Sequence, residues 1–173
     1  MSMTTTYEAQ NCSLARALEL IGERWTLLII RDAFYGVRRF NHFRDHLDIP
    51  RAMLVERLAT LVDIGILSRC PDPDHAARYL YELTPLGRDL WPALHALLCW
   101  GARVAGPNQL RFLHVVCGNE IDNHGNCRTC DLTPAPTAIA TEPRSRKPGG
   151  RTDAVAIALR QRHTLLEPLN AIV

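Results

Sequence analysis

Lysine is almost absent from this 173-residue chain: of 20 basic residues only Lys147 is one, and the rest are arginines. That bias suits bidentate contacts to phosphate and guanine, although codon composition alone produces the same pattern. An excess of either charge sign is also lacking. With a net charge of +2, any nucleic-acid surface must come from local arrangement rather than from overall basicity. No apolar run approaches the ~20 residues of a membrane span, and residues 1–11 are too polar for the core of a signal peptide. The expectation is a cytoplasmic protein with no membrane partner. Fibrous and disordered classes are excluded as well, since 47% hydrophobic and 22% charged residues suffice for the core of one or two domains.

What is present is organised around Arg38 to Gly65. Phe40, Phe43 and Leu47 recur at i, i+3 and i+7 and leave Asn41, Arg44 and Asp45 pointing away, which predicts a short amphipathic helix. The turn Asp48-Ile49-Pro50 follows, with Asp48 placed to cap the next helix and Pro50 suited to its first turn. In that second helix Leu54, Leu58, Leu61 and Val62 form the buried stripe. Ala52, Met53, Glu56 and Thr60 fall opposite, Arg51 and Arg57 flank them, and Gly65 provides the stop. A supported helix with small and polar residues near its start fits a DNA major groove; the same pattern also fits an ordinary helical hairpin in an all-α core.

The flanks favour the first reading. After a polar arm (1–12), Ser13 is placed to cap a helix with Leu14, Ala17, Leu18 and Ile21 on one side, ending at Gly22. Trp25 to Tyr35 is apolar nearly all round and predicts a central helix. Strands at Ile66–Cys70 and Arg78–Leu83 with a turn-rich loop between them predict a β-hairpin wing. Thr84-Pro85 starts a further helix, which Pro92 should kink. Its Leu90, Leu94, Leu97, Leu98, Trp100 and Val104 exceed one intramolecular face and suggest a dimer interface, the alternative being closure of the monomer core. The winged domain is assigned to 13–105.

The run from Cys12 through ERWTLLIIRDAFYGVRRFNHFRDHL, LVERLATLVDIGILSR and YLYELTPLGRDLWPALHALLCWG resembles the HxlR-type family of bacterial transcriptional regulators, which is related to the MarR group. Trp25, Gly36, Arg39-Phe40, Leu58, Gly65, Tyr81, Leu83-Thr84, Gly87 and Trp100-Gly101 carry the likeness, and Cys70 stands outside it. The resemblance implies a homodimer that binds an inverted repeat in double-stranded DNA and performs no catalysis. It places Arg51, Ala52, Met53 and Glu56 at base edges with Arg57 beside them, Arg38, Arg39 and Arg44 at phosphates, and His75 and Arg78 of the wing at the minor groove or backbone. Arg57 as an ion-pair partner and Arg39 as a helix cap are the structural alternatives. Cys12, just before the first helix, matches the position at which members of the family sense oxidants or electrophiles; a packed, unreactive thiol is the other possibility. An effector molecule or oxidant therefore joins DNA and a second copy among the expected partners. A protein-interaction module built on the same winged helix is the rival function.

Beyond Gly106-Pro107 the character changes. His114-x2-Cys117 and Cys127-x2-Cys130 form two ligand pairs, because a C-x2-C turn brings both sulfurs to one side of an ion and a His-x2-Cys pair completes a tetrahedron. A structural zinc module over 110–135 is the expectation, with His124 as the alternative fourth ligand and ordinary reduced surface thiols as the alternative to metal binding. A zinc deaminase is excluded because H-x-E and P-C-x-x-C are both missing, and a thioredoxin-like centre because Cys130 is followed by DLTPAP rather than by a helix. Cys70 and Cys99 read as packing residues. Residues 136–151, rich in Pro, Thr and Arg, read as a linker, and 152–173 as a helical tail with Val155, Leu159, Arg162 and Leu166 near one side. The expected architecture is α+β: a mainly α winged helix-turn-helix domain with a β-hairpin wing, a small zinc-ribbon-like module and a tail helix.

Overall fold

A computed structural model describes Tyr7 and residues 11–145 and 150–169. The winged domain contains α1 (Ser13–Ile21), α2 (Thr26–Phe34), α3 (Phe40–Leu47), α4 (Arg51–Asp63), β1 (Leu67–Asp72), β2 (His75–Leu83), α5 (Pro85–Arg88) and α6 (Trp91–Ala105). As its composition predicts, α2 is central: Ile29, Ile30 and Phe34 are fully buried. Phe43 of α3 and Leu54, Leu58 and Leu61 of α4 close the helix-turn-helix with no exposed surface to speak of. The end of α4 is fixed by backbone chemistry. Gly65 adopts φ +74°, its N–H donates to the Val62 carbonyl and that of Ile66 to the Leu61 carbonyl, a paired arrangement that satisfies two otherwise orphan acceptors.

Several local expectations are corrected. Asp48 does not cap α4; it ends α3 in the left-handed region at φ 51°, and its carboxylate turns instead to Arg151 at 3.0 Å. Pro50, expected in the first turn, instead occupies the cap position of α4. Cys12 precedes α1 as its cap residue and Ser13 is already helical, with no side-chain cap at all. Thr84 does cap, accepting from the Gly87 N–H at 3.1 Å, but the helix it starts is short. The chain restarts as α6, so Pro92 falls in a first turn where no N–H is needed and bends nothing. The wing strands pair antiparallel from Leu67 opposite Leu83 to Cys70 opposite Leu80, with a bulge at Pro71/Asp72.

The larger correction concerns the C-terminal third. Residues 136–151 are not simply a linker: they contain a 3-10 turn (Pro136–Ala138) and a buried strand, β4 (Ile139–Pro143). The tail forms one short helix, α7 (Ala154–Ala158), then β5 (His163–Thr164), and the expected helix over 152–173 is not there among the described residues. Strand β3 (Leu110–His114) joins them in an antiparallel sheet of order β3-β4-β5. This extension shares the core of the winged domain. Trp91 of α6 lies 5.1 Å from Phe34 and 5.4 Å from Phe112 between ring centroids, and Ile139, Val155 and Leu165 are buried in the same cluster.

The extension then straps across the back of the helix-turn-helix. Leu166 and Leu169 donate their N–H groups to the carbonyls of Phe34 and Gly36 at 2.8 and 3.3 Å, and Arg38 donates to the Leu166 carbonyl at 3.4 Å. On the other side His46 of α3 bonds Asp153, the cap of α7, at 2.8 Å. No helix among the described residues is long and apolar enough to cross a membrane.

Candidate nucleic-acid interface and metal centre

Between the helix-turn-helix and the wing runs a groove of about 710 Å³. It brings together Arg39, Arg51, His75 and Arg78 of the predicted set, and adds Arg69 of β1. The groove-facing line of α4 is Arg51, Val55 and Ala59, spaced by four residues, rather than Ala52, Met53, Glu56 and Thr60. Ala52 and Glu56 are exposed beside the groove, whereas Met53 is half-buried and packs on the core. Arg51 holds its guanidinium over the Phe40 ring at 5.4 Å, which orders it without neutralising it.

The remaining arginines divide by partner. Arg39 is a clasp between helix and wing: Nε lies 3.1 Å from Asp72 and Nη2 3.1 Å from Asp74. Burial alone would raise the Asp72 carboxyl, but the Asp74 N–H and this guanidinium together hold it below the usual carboxylate range. Arg38 pairs with Glu82 at 2.9 Å and Arg44 with its neighbour Asp45 at 2.7 Å. Arg57 is largely buried, reaches Glu23 and Glu56 at 3.4 Å, and its Nε finds no hydrogen-bond acceptor among the described residues. His75 is exposed, 4.0 Å from Asp72. Arg69, which the sequence reading missed, stacks on Tyr79 at 3.5 Å. It sits opposite Tyr81 in the register, so extending the Tyr79/Tyr81 alternation to the partner strand is the signal that finds it.

The second constellation lies at the far end of β3. His114, Cys117, Cys127 and Cys130 place one ligand atom each within 4.8 Å of all the others, and among the described residues this is a set that could hold a metal ion. Cys117 Sγ is 3.4 Å from Cys127 Sγ and 3.6 Å from His114 Nδ1. Each pair is followed by a residue in the left-handed region, Gly118 at φ 71° and Asp131 at φ 53°, so two similar tight turns present their side chains to one point. The Asn119 N–H is the largest influence drawing the Cys117 thiol down to about 6, while hydrogen bonding to Cys117 pushes Cys130 up to about 11. Sulfurs this close share negative charge that a soft divalent cation would balance. His124 lies outside the set, exposed in a turn closed by Asp122.

The other thiols are separate. Cys12 is exposed at the start of α1. Cys70 and Cys99 are half-buried, consistent with packing, and Cys99 Sγ lies 3.7 Å from Nε2 of the buried His95. Burial pushes the Cys99 thiol up and the His95 imidazole down, so that pair stays neutral. Large apolar side chains remain uncovered on α1 and α6, among them Leu14 at 66%, Trp100 at 56% and Val104 at 62% exposure.

A supported recognition helix, a β-hairpin wing and an arginine-lined groove between them define a winged helix-turn-helix regulator of transcription. Residues 20–109 match the HxlR-like helix-turn-helix family, and the chain belongs to it. An HTH-type transcriptional regulator of Mycobacterium tuberculosis, Rv3095, is 42% identical over 135 residues, covering 76% of this chain and 85% of the relative, a longer stretch than the family segment itself. Among solved structures, the transcription factor PA1607 superposes with a TM-score of 0.63 at 30% identity, covering 75% of this chain and 92% of its own. A MarR-family regulator from Porphyromonas gingivalis gives 0.51 at 25% identity, over 55% and 94%. Proteins of this fold and family regulate transcription and are not enzymes.

Proposed function

We propose that this chain acts in the cytoplasm as a homodimer that binds an inverted-repeat operator in double-stranded DNA. The observation that carries the reading is the groove in which Arg51 on the recognition helix and Arg69 and Arg78 on the wing converge. Arg51 then reads guanine or phosphate from α4, Ala52 and Glu56 sit at neighbouring base edges, and Arg78, Arg69 and His75 follow the backbone. Met53, Arg38, Arg39, Arg44 and Arg57 support this surface more than they touch DNA, since each is packed or paired within the chain. The uncovered side chains of α1 and α6 supply the dimer interface, which places two recognition helices on successive half-sites.

The cysteine cluster holds one structural zinc per chain, through His114, Cys117, Cys127 and Cys130. Cys12, exposed at a helix start beside the dimer face, senses thiol-reactive signals.

Selection of sheared genomic DNA by the purified, reduced protein tests the main reading. Enrichment of a short inverted repeat, with affinity that falls steeply as salt rises because bound phosphates release counterions, supports it. Retention no better than random, or binding indifferent to salt, favours a protein-docking module, for which the exposed Val55 and Glu56 of the recognition helix would be the contact face.

A further inference from the structure

A second cleft of about 710 Å³ belongs to neither the groove nor the cysteine cluster. That volume is within the ~300–1,000 Å³ of small-ligand pockets. It lies where the family domain meets its extension. Leu28 of α2, Leu47 of α3, Leu110 of β3 and Leu159 beyond α7 give it apolar lining. Around these apolar walls stand Arg31, Arg144, Arg151 and Arg160, and no Asp or Glu side chain lines the cleft among the described residues.

Three of the four guanidiniums are already matched from outside the cleft. Arg31 pairs with the buried Asp32 at 2.7 Å, Arg144 with Glu120, and Arg151 with Asp48 and Asp153 at 3.0 and 3.1 Å. Arg160 donates to the Arg151 carbonyl at 2.9 Å and pairs with no carboxylate among the described residues. Among the described residues of the lining, Arg160 is the one guanidinium without a carboxylate partner, and a cation beside apolar walls suits a negative charge on an apolar body.

We propose that this cleft binds a small amphipathic monocarboxylate, its carboxylate on Arg160 and its hydrocarbon body against Leu28, Leu47, Leu110 and Leu159. The regulatory meaning rests on the DNA-binding reading above. The walls are tied to the helix-turn-helix by His46 to Asp153 at 2.8 Å and by Arg151 to Asp48 and the Asp45 carbonyl, both at 3.0 Å, so an occupant bears on α3 and on the turn before the recognition helix. The ligand would act as the effector of the regulator.

Calorimetry on the full chain without DNA, using 2-naphthoate and the neutral 2-naphthamide, is the test. The expected result is one naphthoate per chain, naphthamide at least tenfold weaker, and Arg160→Gln at least tenfold weaker for naphthoate with an unchanged melting temperature and unchanged naphthamide binding. No heat at millimolar naphthoate, equal affinity for the amide, or undiminished affinity in Arg160→Gln overturns the site. Naphthoate is then added to the protein bound to its selected DNA, where a threefold or larger change in affinity that is absent in Arg160→Gln supports the effector role. No change there overturns that role while leaving the calorimetric result standing, and failure of the DNA selection itself is read independently of both.

Discussion

Replacing Gly36 by alanine probes whether the extension is bound to the winged domain as the structure shows. Gly36 follows α2 at φ +86°, and a Cβ built there meets the Glu167 carbonyl oxygen at 1.8 Å, a backbone atom that cannot step aside alone. Two costs result. Left-handed geometry without glycine costs about 1–2 kcal/mol. Displacing the strap forfeits the bonds from Leu166 to Phe34 and from Leu169 to Gly36, each worth about 1 kcal/mol net. Gly65→Ala is the internal control, because Gly65 has φ +74° but nothing within 4 Å of the added methyl, so it incurs the first cost alone. The difference of about 2 kcal/mol places the melting temperature of Gly36→Ala roughly 4–8 °C below that of Gly65→Ala for a chain of this size. Hydrogen exchange should also show the Leu166 and Leu169 amides losing protection in Gly36→Ala only. Equal melting temperatures with both amides still protected would falsify the strap and the docking drawn from it.

Three further outcomes are expected. Arg51→Ala should lower affinity for the selected operator by about 1–3 kcal/mol in a filter-binding or anisotropy assay while leaving the melt unchanged; an equal loss on random DNA demotes Arg51 to a phosphate contact. Cys12→Ser should abolish the response of DNA binding to diamide or quinones, and a variant that responds as the parent does removes Cys12 as the sensor. Stability should fall in acid. Against the effect of burial, the Ala156 N–H, His46 and Arg151 hold the Asp153 carboxyl below its ordinary value, so the unfolded chain binds its proton at higher pH; the stabilisation is complete above about pH 4 and is lost as pH falls through the native value. Asp32, raised by burial, contributes in the opposite sense. Urea midpoints between pH 6 and 3 should therefore decline, less so in Asp153→Asn, and midpoints that hold steady or rise in acid contradict the assignment.

The winged domain was legible because its signals are local and periodic. Phe43, Leu54, Leu58 and Leu61 announce their burial through helical spacing, and Gly65 and Thr84-Pro85 announce boundaries through backbone chemistry. The cluster that could hold a metal was legible too, since two short Cys/His pairs need only their own turns to be brought together. The sheet of the extension was not. Ile139–Pro143 is a strand buried along Ile139, Ala140 and Thr141, so it lacks the alternation that marks a half-exposed strand, and its proline and threonine imitate a linker. His163–Thr164 is too short to carry any pattern and exists only because β4 offers it an edge. The ion pairs of Arg39, at the cap position of α3, were not legible for a related reason: its partners Asp72 and Asp74 lie across the wing turn, and their approach depends on a bulge that sequence spacing does not reveal.

The shared core makes a last prediction about the metal. Cys127 is fully buried and belongs to the same cluster as Phe34, Trp91, Phe112 and Ile139, so the candidate metal site is rooted in the packing that supports α2. A zinc ion bound by the native turns but not by the unfolded chain stabilises everything that unfolds with those turns. Purified protein should therefore contain about one zinc per chain, and a chelator should lower a single melting transition followed both by tryptophan fluorescence and by far-UV circular dichroism. Cys130→Ser should do the same without chelator, because it removes one ligand from the half-buried edge of the set and leaves the core side chains in place. Protein that carries no metal and whose thiols titrate freely would rule out the zinc reading. Two well-separated transitions, only the lower one sensitive to metal, would instead show the extension to be an autonomous module, and would remove the physical link through which its state could reach the recognition helix.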